Sequence, residues 1–235
     1  MNMLKRFTPQ FALLAIICII AAYGYVKSGI IDANTTVNTT PSVIIDAGHG
    51  GFDGGAVAKD GTVEKDINLQ ISLKVSQMLK YNGYDVIMTR DGDTGTEDDE
   101  NAAIASRKKS DLSNRLSLMK NNPDAIYVSI HLNKFTTSAA SGAQVFYTKN
   151  YDEARLLAES VQSKIIELIQ PENTRVVKQG TSSTYLLKNA AVPAIIVECG
   201  FLSNHLELEK LKTEDYQSQM AFAIVCGITN FLENK

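Results

Sequence analysis

Cysteine is scarce in this sequence, with only three among 235 residues. Three cysteines are too few to form the disulfide framework of a small secreted domain. Cys18 lies in an apolar run near the N-terminus, while Cys199 and Cys226 lie in apolar stretches further along. We interpret Cys199 and Cys226 as reduced residues of the protein core.

An excess of charge of either sign is also lacking. The formal net charge is −3, with 21% charged and 44% hydrophobic residues. This composition is typical of a folded globular protein, and the length suits one ordinary domain. Because the net charge is not positive, a general nucleic-acid-binding surface is disfavoured.

Several nucleotide, nucleophile and calcium motifs are missing. A phosphate-binding loop starting at Gly48 would need glycine at Asp53, and one starting at Gly50 would need lysine at Ala56. The serine hydrolase motif G-x-S-x-G does not occur. In the acidic segment 91–103, a calcium-binding EF-hand loop starting at Asp91 would need glycine where Thr96 stands and glutamate where Ala102 stands. We therefore interpret that segment as a solvated acidic loop.

The N-terminal segment predicts export from the cytoplasm. Lys5 and Arg6 precede an uncharged apolar run over residues 11–26, which is typical of a signal peptide or an uncleaved signal anchor. Ile17 is too bulky for lipoprotein processing at Cys18. The alternative, a buried core helix, is disfavoured because nothing globular precedes the run. The predicted organisation is a signal or anchor over 1–27, a polar linker over 28–42 and a catalytic domain over 43–235.

Apolar runs alternate with segments of helical periodicity, which predicts a single α/β domain. We expect a mostly parallel, twisted sheet of about six strands flanked by helices. The predicted strands cover residues 42–47, 84–90, 125–133, 143–149, 184–188 and 193–200. The predicted helices cover residues 64–80, 106–121, 152–169 and 214–233.

Two histidines and two glutamates are expected on one edge of this sheet. His49, His131 and Glu198 each lie at or just beyond the carboxyl end of a predicted strand, and Glu64 opens the first helix. Two imidazoles and one carboxylate are a usual ligand set for catalytic Zn²⁺, and a second carboxylate can transfer protons. His49, Glu64 and His131 each also have a plain structural interpretation, such as a turn, a helix start or a core histidine. A buried carboxylate at Glu198, in contrast, would be costly without a cation or another partner. His205 is interpreted as an exposed residue at a helix start.

A cysteine nucleophile is disfavoured on the same edge of the sheet. Cys199 follows Glu198 directly, so on a strand the two side chains point to opposite faces.

Four sequence blocks resemble the zinc-dependent N-acetylmuramoyl-L-alanine amidases (amidase type 3). These blocks are "IIDAGHGGFDGGAV", "VEKDINLQISLKV", "YVSIHLN" and "VECGFLSN", in the order of the family. The resemblance implies hydrolysis of the amide between muramic acid and L-alanine in peptidoglycan. It implies that His49, Glu64 and His131 bind zinc and that Glu198 is the catalytic acid/base. Ala47 stands where the family usually has proline.

The single catalytic domain behind an N-terminal segment resembles the germination-specific (CwlD-type) amidases of spore-forming bacteria. That resemblance implies removal of stem peptides from spore cortex, after which a deacetylase allows muramic-δ-lactam to form. The expected location is outside the cytoplasmic membrane, anchored or secreted, in the intermembrane space of the developing spore. Some family members are inactive until a partner protein engages them, so an activating partner is a further expectation. Vegetative wall as the substrate, and a wall-binding protein without catalysis, are the alternatives.

Overall fold

The computed structural model describes residues 42–181 and 184–234. Its strands are β1 (Val43–Ala47), β2 (Val86–Met88), β3 (Ile126–Asn133), β4 (Gln144–Tyr147), β5 (Lys178–Gln179) and β6 (Ala194–Phe201). Its helices are α1 (Glu64–Tyr81), α2 (Ile104–Asn121), α3 (Asp152–Leu168), α4 (Tyr185–Asn189), α5 (His205–Leu211) and α6 (Glu214–Glu233).

The six strands form one sheet in the order β2-β1-β3-β6-β4-β5. β2, β1, β3 and β6 are parallel, whereas β4 runs antiparallel to β6. The predicted α/β class with a mostly parallel sheet is therefore confirmed. Four parallel strands in a row bring the carboxyl ends of β1, β3 and β6 to the same edge.

Helices cover both faces of the sheet and create two apolar cores. Alternation along the strands divides the buried side chains between them, so that Ile45 and Val128 face one core while Ile44 and Tyr127 face the other. The first core is closed by α1, α3, α5 and α6, and the second by α2 and α4. All described residues belong to one compact unit.

The prediction of a strand over residues 184–188 is wrong, because this segment forms the short helix α4. Leu186 and Leu187 are adjacent and both are buried in the second core. A strand would send these neighbours to opposite faces, whereas a helical turn lets both pack against the same layer. The sheet still has six strands, because Lys178 and Gln179, two exposed residues, pair with β4 and form β5.

The four long helices lie where the apolar periodicity predicts them, with boundaries that differ by at most two residues. His205 is exposed and is the first residue of α5, as expected. The predicted signal segment and nearly all of the linker lie outside the described residues. Among the helices that are described, none is both long and apolar enough to cross a membrane.

Candidate active site

The carboxyl-terminal edge of the parallel strands carries the four predicted site residues. His49 follows β1 by two residues, and His131 lies near the end of β3. Glu198 of β6 is the direct register partner of His131. Glu64 is the first residue of α1. Four segments distant in sequence are thus brought to one edge by the strand order.

His49, Glu64 and His131 are close enough to one another to bind a single metal ion. His49 Nε2 lies 3.3 Å from Glu64 Oε1, and His131 Nδ1 lies 3.0 Å from the same oxygen. One donor atom from each residue lies within 4.8 Å of the other two. Within residues 42–181 and 184–234, this is the one group of three histidine, cysteine or acidic side chains so arranged.

Glu64 is held as an anion in a fixed orientation. Its Oε2 accepts a hydrogen bond of 2.8 Å from the Ala56 amide, and its Oε1 accepts one of 3.1 Å from the Leu132 amide. Burial opposes ionisation, but the bonds and charges of His131 and His49 outweigh it and keep the pKa of Glu64 well below its usual range. The carboxylate is therefore ready to bind a cation but is poorly suited to accept a proton.

Asp53 fixes the orientation of the His49 ring. Its Oδ2 lies 2.9 Å from His49 Nδ1, which leaves Nε2 facing Glu64. Burial lowers the pKa of His49, but the hydrogen bonds to Asp53 and Glu64 prevail and raise it to about 9. A carboxylate on the far nitrogen of a metal-binding histidine is a common arrangement, because it sets the tautomer and the ring direction.

The three residues fit a zinc ion. Zinc–nitrogen and zinc–oxygen bonds of about 2.0–2.1 Å in a tetrahedron place neighbouring ligand atoms about 3.3 Å apart. The 3.0 and 3.3 Å separations at Glu64 Oε1 are close to that value. Two imidazoles and one carboxylate leave a fourth position open, as catalytic zinc sites require. His49 must lose its proton when a metal binds, so binding is expected to release protons.

Glu198 is a carboxylate of a different kind. Its Oε2 is buried and has no hydrogen-bond partner among the residues that the structure describes. Burial raises the pKa of Glu198 to about 7, although the charge of His131 acts to lower it. An unpartnered buried carboxyl oxygen is rare in folded proteins and is commonly functional. This glutamate can therefore exchange a proton near neutral pH.

The glycine residues of the β1–α1 loop make room for the site side chains themselves. Gly55 has a φ of +70°, and a Cβ atom there would lie 2.6 Å from His49 Cδ2 and 2.7 Å from Glu64 Oε2. A Cβ atom on Gly48 would overlap the His131 ring. The loop is glycine-rich because its backbone packs directly against the His49, Glu64 and His131 side chains.

The other candidate residues lie away from this group. Cys199 is buried in the first core, on the face opposite to Glu198 as predicted, and burial raises the pKa of its thiol. Cys199 and Cys226 are both free thiols, and Cys226 is only partly buried. His205 belongs to α5 and is not in the three-residue group.

The acidic segment 91–103 is more ordered than a freely solvated loop. Asp93 binds Lys65 and the Gly51 amide, which ties the segment to the β1–α1 loop. The Glu97 side chain is 6% exposed and pairs with Arg107. Asp98, by contrast, is exposed as expected. The prediction of full solvation is therefore wrong for Glu97.

Sequence reasoning missed three residues that support the site: Asp53, Arg90 and Arg115. Arg90 and Arg115 are buried, and their guanidinium groups donate to the carbonyls of the loop that carries His49. Arg90 lies two residues beyond the carboxyl end of β2. The expectation that site residues lie at strand ends, which singled out His131, therefore also applies to Arg90. Asp53 is four residues from His49 in a glycine-rich loop, and only its contact reveals its role.

Similarity to known proteins covers most of the chain. A family model described as N-acetylmuramoyl-L-alanine amidase (Amidase_3) matches residues 43–230. The germination-specific N-acetylmuramoyl-L-alanine amidase of Bacillus subtilis is 35% identical over 193 residues, which cover 82% of this chain and 80% of that protein.

Two solved structures are similar along almost their entire length. The CwlD amidase from Clostridioides difficile, solved in complex with the GerS lipoprotein, has a TM-score of 0.79 and 39% identity, covering 83% of this chain and 100% of that one. An N-acetylmuramoyl-L-alanine amidase from Clostridium difficile 630 has a TM-score of 0.72 and 32% identity, covering 84% and 99%. The chain therefore belongs to the N-acetylmuramoyl-L-alanine amidase family, enzymes that act on peptidoglycan.

Proposed function

We propose that the amidase is zinc-dependent, with His49, Glu64 and His131 as the metal ligands and Glu198 as the proton-transfer group. The observation that carries this proposal is the convergence of two imidazole nitrogens on one oxygen of an ionised, buried glutamate. The bond cleaved is the amide between the lactyl group of N-acetylmuramic acid and the first L-alanine of the stem peptide.

A zinc ion at this site would supply Lewis acidity, polarising the amide carbonyl and making a water molecule a better nucleophile. Glu198 accepts the proton of the attacking water and then donates it to the L-alanine nitrogen as the carbon–nitrogen bond breaks. Glu64 is unsuited to that task, because its pKa is low and both of its oxygens already accept hydrogen bonds. Asp53 keeps His49 in the tautomer whose Nε2 faces the proposed metal site.

We infer that the substrate is spore cortex peptidoglycan. The support is similarity to a germination-specific amidase and to a CwlD amidase. On this proposal, the enzyme strips the stem peptide and leaves a free lactyl carboxyl group, and a deacetylase then frees the amino group of the same sugar. The carboxyl and amino groups condense with loss of water to give muramic-δ-lactam. The N-terminal segment would deliver the domain across the cytoplasmic membrane, as a cleaved signal or as an anchor, into the intermembrane space of the developing spore.

A membrane-associated partner protein is part of the same proposal. The similar CwlD amidase was solved with a lipoprotein, GerS. A lipoprotein partner would hold an exported amidase close to the membrane where cortex is made. The partner is tested by measuring zinc affinity and turnover with and without the corresponding lipoprotein.

The experiment that tests the proposed activity uses the purified domain and isolated cortex peptidoglycan. We expect release of free stem peptides with an L-alanine N-terminus, loss of activity on chelation, and recovery with zinc. A wall-binding protein without catalysis would sediment with the peptidoglycan and release no peptide. Muropeptide analysis of spores that lack the protein should show no muramic-δ-lactam, and normal lactam there would point to the vegetative wall instead.

A further inference from the structure

His49 has an unusual backbone conformation. Its φ is +62°, and it is the one non-glycine residue with positive φ among those that the structure describes. Side chains with a Cβ atom are strained in this left-handed region, and such a residue persists only where its surroundings impose the conformation. In this conformation the imidazole faces Glu64 Oε1. What holds the backbone of His49 therefore also determines where its nitrogen lies.

Two buried arginines bind every carbonyl group of the segment 47–49. Arg90 donates to Ala47 O at 2.9 Å and to Gly48 O at 3.1 Å. Arg115 donates to Ala47 O at 3.2 Å and to His49 O at 2.8 Å. Rotating the peptides around His49 would break these charge-assisted bonds in a buried environment, where they are costly to lose.

Each arginine is itself anchored to another part of the site. Arg115 forms ion pairs with Asp46 on β1 and with Asp111 on its own helix α2. Arg90 also donates to Lys65 O at 2.8 Å, the carbonyl of the residue that follows Glu64. Arg90 thus links the backbone next to one proposed ligand with the backbone next to another.

We propose that Arg90 and Arg115 are positioning residues, which hold His49 in its left-handed conformation and so set the affinity of the site for zinc. The inference rests on the proposed metal site. It assigns a role to two buried cations whose hydrogen bonds go to backbone carbonyls and to Asp46 and Asp111, and which transfer no proton in the mechanism above.

Lysine is the informative replacement because it keeps the charge. The guanidinium of Arg90 donates from Nε, Nη1 and Nη2 to four carbonyls in different directions. A lysine ammonium is a single point charge on a flexible stem and cannot span them. If only the positive charge matters, the lysine variants should bind zinc as tightly as the wild type. If the arginines position His49, the lysine variants should bind zinc more weakly.

The experiment measures zinc affinity of the folded, metal-stripped protein by competition with a chromophoric chelator. We expect Arg115→Lys and Arg90→Lys to raise the zinc Kd by about tenfold or more, in the range seen when a group orienting a metal ligand is removed. The visible spectrum of the Co²⁺ form should change in intensity, because it reports ligand geometry. Arg155→Lys, an exposed arginine on α3 paired with Glu159, should leave the Kd and the spectrum unchanged.

A double-mutant cycle separates positioning from general destabilisation. If Arg115 acts through His49, then Arg115→Lys should change the zinc Kd less than about twofold in a His49→Ala background. An equal fold-change in both backgrounds would overturn the proposal, as would a wild-type Kd and Co²⁺ spectrum in the two lysine variants.

A third variant keeps the inference testable if the lysine variants do not fold. Asp111→Asn removes one carboxylate that orients Arg115 while keeping the arginine, and should raise the Kd in the same direction by a smaller factor. An unchanged Kd in this variant would contradict the proposal. Failure of the wild-type protein to bind zinc would instead overturn the metal site, and with it the inference.

Discussion

At the scale of single residues, two glutamates on one edge of the sheet have opposite proton affinities. Burial is opposed at Glu64 by the hydrogen bonds and charges of two imidazoles, so its pKa falls well below the usual range. Burial dominates at Glu198 and raises its pKa to about 7. Titratable neighbours whose environments separate their pKa values in this way can divide the roles of ligand and proton carrier between them.

Glu198→Gln tests this division of roles. Glutamine keeps the shape of the side chain but cannot accept a proton, so the variant should fold and bind zinc nearly as well as the wild type. Its turnover should fall by about 10²–10⁴, the usual contribution of a positioned proton-transfer group. Stem-peptide release and metal content measure the two effects, and Glu209→Gln, an exposed position on α5, is the matched control.

Two results would contradict that assignment. Loss of zinc together with activity would make Glu198 a metal ligand. Turnover close to that of the wild type would mean that another group moves the proton.

The two histidines and two glutamates of the site could be singled out from the sequence because each is a chemically distinctive side chain at the end of a strand or the start of a helix, whereas their division into ligands and proton carrier came from the family resemblance. The arginines could not be identified in the same way. Arg115 lies in the middle of α2, and its function depends on carbonyl groups of residues 47 and 49 that only the folded chain brings near. The left-handed backbone of His49 likewise has no signature in the residue order.

At the scale of secondary-structure elements, the close contact between α3 and α6 depends on Gly227. A Cβ atom at this position would lie 2.5 Å from Val161 Cα, which belongs to the backbone of α3. The Gly227 carbonyl also accepts a hydrogen bond of 2.8 Å from Ser160. The two helices therefore cannot separate at this point without breaking an interhelical bond.

We predict that Gly227→Ala lowers the free energy of unfolding by about 1–2 kcal/mol. Alanine improves helix propensity by up to about 1 kcal/mol, but overpacking against a backbone costs about 1–3 kcal/mol, and the second effect should prevail. Urea unfolding measures the difference. Gln219→Ala on the exposed face of α6 should change stability by less than about 0.5 kcal/mol. A more stable Gly227→Ala protein would show that the helices adjust freely.

Elements were predictable where one physical signal dominates. The long helices and the buried strands carry clear apolar periodicity over many residues. The reversal of β4 depends on pairing with β6, which is distant in sequence, and β5 is a pair of exposed polar residues without a pattern. Residues 184–188 offered a short apolar run, which fits a strand or a helical turn equally well.

At the scale of the whole molecule, Asp46 links β1, β3 and α2 through one buried carboxylate. It accepts hydrogen bonds from Thr89 and Ser129 and pairs with Arg115. Burial would raise its pKa, but the charge of Arg115 and the Ser129 hydroxyl prevail and lower the pKa to about 2. Because the folded-state pKa lies below the ordinary value of 3.8, this contribution is present above about pH 4 and is lost as the pH falls towards 2.

The comparison of wild type with Asp46→Asn tests this contribution. Their difference in unfolding free energy should be nearly constant above about pH 5 and should shrink by about 2 kcal/mol by pH 2. Urea unfolding at a series of pH values gives the difference directly. A difference that does not depend on pH would mean that Asp46 is not ionised in the folded protein.

The most direct test of the proposed metal centre is the zinc content of the purified domain and of its single alanine variants. The wild type and His205→Ala should each hold about one zinc per chain after equilibration against the same free metal. His49→Ala, Glu64→Ala and His131→Ala should hold far less, because two protein ligands bind zinc orders of magnitude more weakly than three. Full stoichiometric zinc in His131→Ala would contradict the proposed metal centre.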